Sequence, residues 1–213
     1  MAASPGAGLA AKHLAETLES ALSAPLFTLS TPIRKLPVGG YRPTSIARPR
    51  PAAVLLAVTA EAEPGVVLTL RSRALKHHAG QVSFPGGGRD RPGESVVDTA
   101  LREAREEAGI ACERVKPLGF LGRYDTISGY RMTTLVGLLG AGACLRPDCR
   151  EVDAVFTIPL SRVVDPACYS HRKVGYAGRT FDIVTLAHPD HHIWGATAAL
   201  LYDFGMRLGS LRT

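Results

Sequence analysis

No stretch restricts the fold of this chain more than Glu94 to Ala108, which reads Glu-Ser-Val-Val-Asp-Thr-Ala-Leu-Arg-Glu-Ala-Arg-Glu-Glu-Ala and is closed by Gly109. The pattern predicts one helix. Val97, Leu101, Ala104 and Ala108 recur at helical spacing and are expected to pack on a sheet. Glu103, Glu106 and Glu107 stand at i, i+3 and i+4, so they share one side with Cβ atoms about 5–6 Å apart. Carboxylates that close repel unless a cation sits among them, and a hard divalent ion such as Mg²⁺ meets that demand. Asp98, Arg102 and Glu106 follow at i+4 steps, which lets Arg102 pair with neighbouring carboxylates and restrain their rotamers. Alone, such a ladder reads as a solvated face.

The flanking sequence supplies strands. Ala52 to Thr59 and Val66 to Leu70 are short apolar runs that read as a hairpin, and a third strand, Gln81 to Phe84, runs into Pro85-Gly86-Gly87-Gly88. Those glycines are expected to make tight turns and to let the backbone approach a ligand. Further strands are predicted near Pro117 to Tyr124, Arg131 to Leu139 and Val152 to Ile158. A hairpin follows over Tyr169 to Leu186, turning at Ala177-Gly178, and a closing helix over Ile193 to Leu208. Strands on both sides of one helix, with a second helix at the end, indicate the α/β class: a sandwich around a mixed sheet. Ahead of the core, Leu9 to Leu26 reads as an amphipathic helix that packs on the domain or on a partner subunit, which leaves a homodimer open. Pro32, Pro37, Pro43, Pro49 and Pro51 then mark an extended arm. The division expected is residues 1–50 for the helix and arm, and 51–213 for the main domain.

Bulk properties narrow the partners. A charge of +6 favours an anionic ligand, but aromatics at 6% are not interleaved with the basic residues, which argues against single-stranded nucleic acid. No apolar run approaches the roughly 20 residues that span a bilayer. Cys112, Cys144, Cys149 and Cys168 form no C-x-x-C pair and read as free thiols in a reducing compartment. Cytoplasm is the default location. The Met-Ala-Ala-Ser start leaves an organelle presequence open, although Glu16 and Glu19 come early for one. His188, His191 and His192 lack further ligands at zinc spacing.

The spacing around the helix is more telling than the helix itself. Gly88, five residues, Glu94, seven residues, then Arg102-Glu103-Ala104-Arg105-Glu106-Glu107-Ala108-Gly109-Ile110 resembles the signature box of the Nudix hydrolases, position for position. The resemblance implies a Nudix-type α/β/α sandwich that hydrolyses a nucleoside diphosphate linked to another moiety, using Mg²⁺ or Mn²⁺ on the box glutamates. Carried over residue by residue, Glu103 and Glu107 are the metal ligands. Glu106 is a further ligand or a group that bonds to one, and Gly87 offers its carbonyl. Arg102 belongs to the catalytic set by its place in the box. Glu103 is the first choice of general base, and Glu151, in a loop before a strand, is the second; read blandly, Glu151 is a surface acid beside Arg150.

Just upstream, Leu68-Thr69-Leu70-Arg71-Ser72, then Leu75, His78-Ala79-Gly80 and Phe84-Pro85-Gly86-Gly87, is similar to the segment that marks the coenzyme A pyrophosphatase branch of the family. Lys76 stands where that branch commonly has arginine, and Thr134 where it often has proline. The branch implies a small-molecule substrate, coenzyme A or a derivative, and cleavage to 3′,5′-ADP and 4′-phosphopantetheine. Coenzyme A carries a 3′-phosphate besides its pyrophosphate, so its site needs additional cations. Arg71, Arg73, Lys76, His77 and His78 supply them, and Ser72 either bonds phosphate or caps a turn. The alternatives are a Nudix hydrolase of another dinucleotide such as ADP-ribose or NADH, and a Nudix-fold binding module without turnover.

Overall fold

The alternation of β2 (Arg50–Thr59) shows why the core is built as it is. Ala53, Leu55 and Ala57 point to one face of the sheet, Val54, Leu56 and Val58 to the other, and all are buried. A strand covered on both faces reads as a continuous apolar run. In the computed structural model, residues 5–22, 24–25, 49–126, 129–176 and 179–210 are described. Most of the proline-rich arm and the turn at Ala177-Gly178 lie outside them.

Among the described residues the main sheet has eight strands. Besides β2 they are β1 (Ala24–Pro25), β3 (Gly65–Arg71), β4 (Val82–Ser83), β5 (Gly86–Gly88), β6 (Val115–Asp125), β7 (Tyr130–Leu139) and β8 (Val152–Pro159). The path is β1-β6-β7-β2-β3-β4, with β5 on β2 and β8 on β3; β2 and β7 run parallel and the other pairs antiparallel, so the sheet is mixed. Helix α2 (Val96–Ala108) covers one face. The other face is covered by α4 (Gly195–Ser210) and by α1 (Pro5–Ser20), which buries Ala15 and Leu18. A short helix α3 (Leu160–Val163) follows β8. A second sheet orders β11 (Ile193–Trp194), β10 (Arg179–Leu186) and β9 (Tyr169–Tyr176). No helix among the described residues is long and apolar enough to cross a membrane.

Several expectations change, among them the helix over Leu9 to Leu26, which is α1 (Pro5–Ser20) followed by the short strand Ala24–Pro25 paired with β6. The hairpin of β2 and β3 pairs only at Val58 with Val66, because most of β2 is claimed by β7 on one side and by β5 on the other. The glycine run is a strand, not a set of tight turns: Gly86, Gly87 and Gly88 pair with Val54, Ala53 and Ala52. Glycine is a poor strand former, but it alone lets this strand lie close between β2 and α2.

Helix α2 is bounded by local chemistry. It starts two residues later than Glu94, because Ser95 is its N-cap: the hydroxyl accepts from Asp98 N–H while the Asp98 carboxylate accepts from Ser95 N–H. It stops where Gly109 takes the left-handed conformation at φ 67°. The face on the sheet is Ala100, Ala104 and Ala108, all fully buried, with Val97 and Leu101 only partly covered at its flank. Alanines at i+4 steps let the helix axis approach the sheet closely, and this rotation carries Glu107 inward.

Candidate active site

Strand β5 lies along α2 and touches it three times. Gly86 N–H donates to Glu107 Oε2 at 3.0 Å, and Gly88 carbonyl oxygen accepts from Arg102 Nη2 at 3.4 Å. Between them, a Cβ on Gly87 would stand 2.6 Å from Glu103 Cδ, so only glycine leaves the Glu103 carboxylate its place. The three glycines are therefore a spacer of minimal thickness over Arg102, Glu103 and Glu107.

Arg102 organises the outer part of the site. Its Nε and Nη2 grip Glu94 at 2.7 and 3.2 Å, and its Nη1 reaches Glu103 at 2.7 Å and Glu106 at 3.0 Å. Thr99 also donates to Glu94, at 3.0 Å. These contacts, Arg102 foremost, hold the Glu94 carboxyl below its usual range, and the carboxylates hold the Arg102 guanidinium firmly protonated. Glu106 is half exposed and turned toward Arg102 and Arg91, the latter at 3.2 Å.

The inner part is electrostatically opposite. Glu107 is 2% exposed, and burial pushes its carboxyl up to about 7, against the opposing pull of Gly86 N–H and of Arg71, whose Nη1 lies 3.2 Å from Oε1. Burial also raises Glu103, against Arg102. Glu151 adds to both shifts, so its charge lies within range of the two glutamates. Backbone bonds put it there. Asp148 N–H and Arg146 N–H donate to the carbonyls of Glu107 and Ala108, and Ser72 N–H donates to Glu151 O at 2.8 Å.

The predicted residues thus divide. Arg71, Gly87, Arg102, Glu103, Glu107 and Glu151 are brought together, with Glu106 at the rim. Ser72 is buried and its hydroxyl accepts from Ala74 N–H, so it caps a turn. Arg73, Lys76 and His78 are exposed on the loop that follows β3, where Arg73 N–H bonds Asp153 and the His78 ring meets Gln81 Oε1 at 2.9 Å. Sequence reading passed over Gly86 N–H, Thr99 and Arg91 as partners of the acidic groups. Only the Ser95-x-x-Asp98 cap carried a local signal.

A family model for the NUDIX domain matches residues 48–172. The chain belongs to the Nudix family. Two relatives named uncharacterized Nudix hydrolase NudL agree. That from Photorhabdus laumondii is 38% identical over 159 residues, 75% of this chain and 85% of the relative, and that from Escherichia coli O1:K1 is 35% identical over 160 residues, 75% and 83%. Among solved structures the chain is similar to the MutT protein from Methanosarcina mazei Go1, with a TM-score of 0.51, 18% identity, and coverage of 79% of this chain and 99% of that one. At that identity the likeness concerns the fold alone.

The Nudix fold, a mixed sheet flanked by helices, is thus established, and with it the reaction class of a hydrolase acting on nucleoside diphosphate derivatives. Nudix hydrolases use divalent ions, and the inner carboxylates fit one in kind: they are hard oxygen donors, crowded with like charge that a cation would relieve. The oxygens are not gathered in advance. Among the described residues no three acidic, histidine or cysteine side chains converge as a ready metal cage, since the carboxylates are turned onto Arg71, Gly86 and Arg102.

Proposed function

We propose that this Nudix hydrolase cleaves the pyrophosphate of coenzyme A to 3′,5′-ADP and 4′-phosphopantetheine, and that of acyl-coenzyme A, where the thiol is esterified, to 3′,5′-ADP and acyl-4′-phosphopantetheine. Water adds its oxygen to one phosphorus as the bridging P–O bond breaks. Glu103 and Glu107, with Glu106 and the Gly87 carbonyl nearby, would hold Mg²⁺ or Mn²⁺. Such an ion supplies neutralisation of the pyrophosphate charge and a water of lowered pKa.

The observation that carries the substrate reading is the contact of Arg71 with Glu107 at 3.2 Å. It sets the segment that resembles the coenzyme A branch directly against the acidic centre. Arg73, Lys76 and His78 continue from Arg71 on an exposed loop, a cationic surface suited to a 3′-phosphate outside the metal site. Glu103 is the first candidate for general base, because burial raises its proton affinity above that of an ordinary carboxylate. Glu151 is the second.

An assay of coenzyme A, acyl-coenzyme A, NADH and ADP-ribose with Mg²⁺ or Mn²⁺ and product identification tests the reading. Release of 3′,5′-ADP from coenzyme A is expected. Turnover of ADP-ribose or NADH with none of coenzyme A would move the chain to another nucleoside diphosphate derivative. Failure of every substrate would make it a binding module.

A further inference from the structure

Both carboxylate oxygens of Glu107 are engaged. One oxygen faces Arg71 and the other accepts Gly86 N–H, at a position 2% exposed. A divalent cation approaching Oε1 meets the Arg71 guanidinium there, and two positive charges on one oxygen repel. Arg71 is the side that can yield. Its side chain is 26% exposed, and it stands at the bulge between Leu70 and Arg71, where the β3–β8 ladder is interrupted. Its backbone stays tied, N–H to Gln81 O at 2.9 Å and carbonyl from Gly80 N–H at 3.1 Å. The side chain can therefore swing on a fixed pivot, and a planar guanidinium pairs as well with phosphate as with carboxylate.

We propose that Arg71 couples metal occupancy to substrate capture: it holds Glu107 in the metal-free protein, is displaced when a divalent cation takes that carboxylate, and then pairs with the substrate's pyrophosphate. This rests on the reading of Glu107 as a metal ligand in a pyrophosphate hydrolase. Arg71 is a substrate-binding residue here, not a metal ligand. The displaced guanidinium weakens the cation alone and strengthens cation and pyrophosphate together, so each raises the affinity of the other.

The test is a Mn²⁺ titration followed by electron paramagnetic resonance, without substrate, on the wild type, Arg71→Ala and Arg71→Lys. Losing the competing charge should tighten Mn²⁺ binding by roughly tenfold in Arg71→Ala, the change that a contribution near 1.4 kcal/mol implies, whereas Arg71→Lys stays near wild type. The KM for coenzyme A should rise in Arg71→Ala. Mn²⁺ affinity equal to or weaker than wild type in Arg71→Ala overturns the coupling. If that variant does not fold, the ¹⁵N side-chain signal of Arg71, assigned by its absence in Arg71→Lys, is followed in the wild type. It should shift on adding Mg²⁺ and again on adding inorganic pyrophosphate, and a signal insensitive to Mg²⁺ overturns the proposal. Tighter Mn²⁺ binding without coenzyme A turnover would overturn the substrate reading alone. Turnover with unchanged Mn²⁺ binding would overturn the coupling alone.

Discussion

Glu94 and Glu107 flank the same site and carry the same side chain, yet their surroundings push them in opposite directions. Glu94 receives a two-point grip from Arg102 and a bond from Thr99, and its carboxyl is lowered. Glu107 lies deeper, with one arginine and one amide against the burial of nearly the whole group, and is raised to about 7. The first arrangement stabilises the fold; the second sacrifices stability to keep an under-compensated carboxylate in place. Clusters with that imbalance are where ligands that supply positive charge bind.

The sharpest way to break this contrast is Glu107→Gln. Loss of the proposed metal carboxylate would remove several kcal/mol of charge stabilisation, so kcat should fall by roughly a thousandfold or more. The stability of the metal-free protein should move the other way. The native state binds the Glu107 proton more tightly than the unfolded chain does, so stability contributed below pH 4.5 is lost as pH rises to about 7, on the order of 3 kcal/mol. Denaturant midpoints of the metal-free wild type at pH 4.5 and pH 8 should show this group's share of the fall, and Glu107→Gln should flatten it. A variant with a steeper fall would end the claim that Glu107 is destabilising.

Arg102→Ala probes the other member of the comparison. It strands Glu94, a side chain 9% exposed, and releases Glu103. Breaking a partly buried ion pair from one side leaves a charge short of its partner, so unfolding free energy should drop by about 1–2 kcal/mol, with activity lowered through a mobile Glu103. Rescue by Arg102→Lys should be partial, because lysine cannot span Glu94, Glu103 and Glu106 together. Arg91→Ala should have the smallest effect. Its pair with Glu106 joins two largely exposed groups, and chemical denaturation should detect no more than about 0.5 kcal/mol.

Much of this was legible in the order of residues. The helix follows from its period and its terminal glycine, although Ser95 with Asp98 sets its start at Val96, two residues after the expected Glu94. Strands β6, β7, β8, β9 and β10 fell close to their apolar runs. The glycine strand β5 was not legible, because its pairing with Ala52 to Val54 arises from a partner more than thirty residues away and not from intrinsic preference. Nor was the divergence of β2 from β3, which depends on β5 taking the place beside Ala52 to Val54 on that edge of β2.

The same division holds for the site. Three glutamates within five residues, and an arginine beside them, were determined by the sequence through helical geometry alone. Which carboxylate is desolvated was decided only by the tertiary structure. The three alanines set the rotation of α2 against the sheet, β5 brings Gly86 N–H, the bulge of β3 brings Arg71, and the loop before β8 brings Glu151. Helical spacing fixes neighbours on one element, whereas burial and field come from elements distant in the chain. That is why Glu94 and Glu107, alike in the sequence, have opposite proton affinities in the fold.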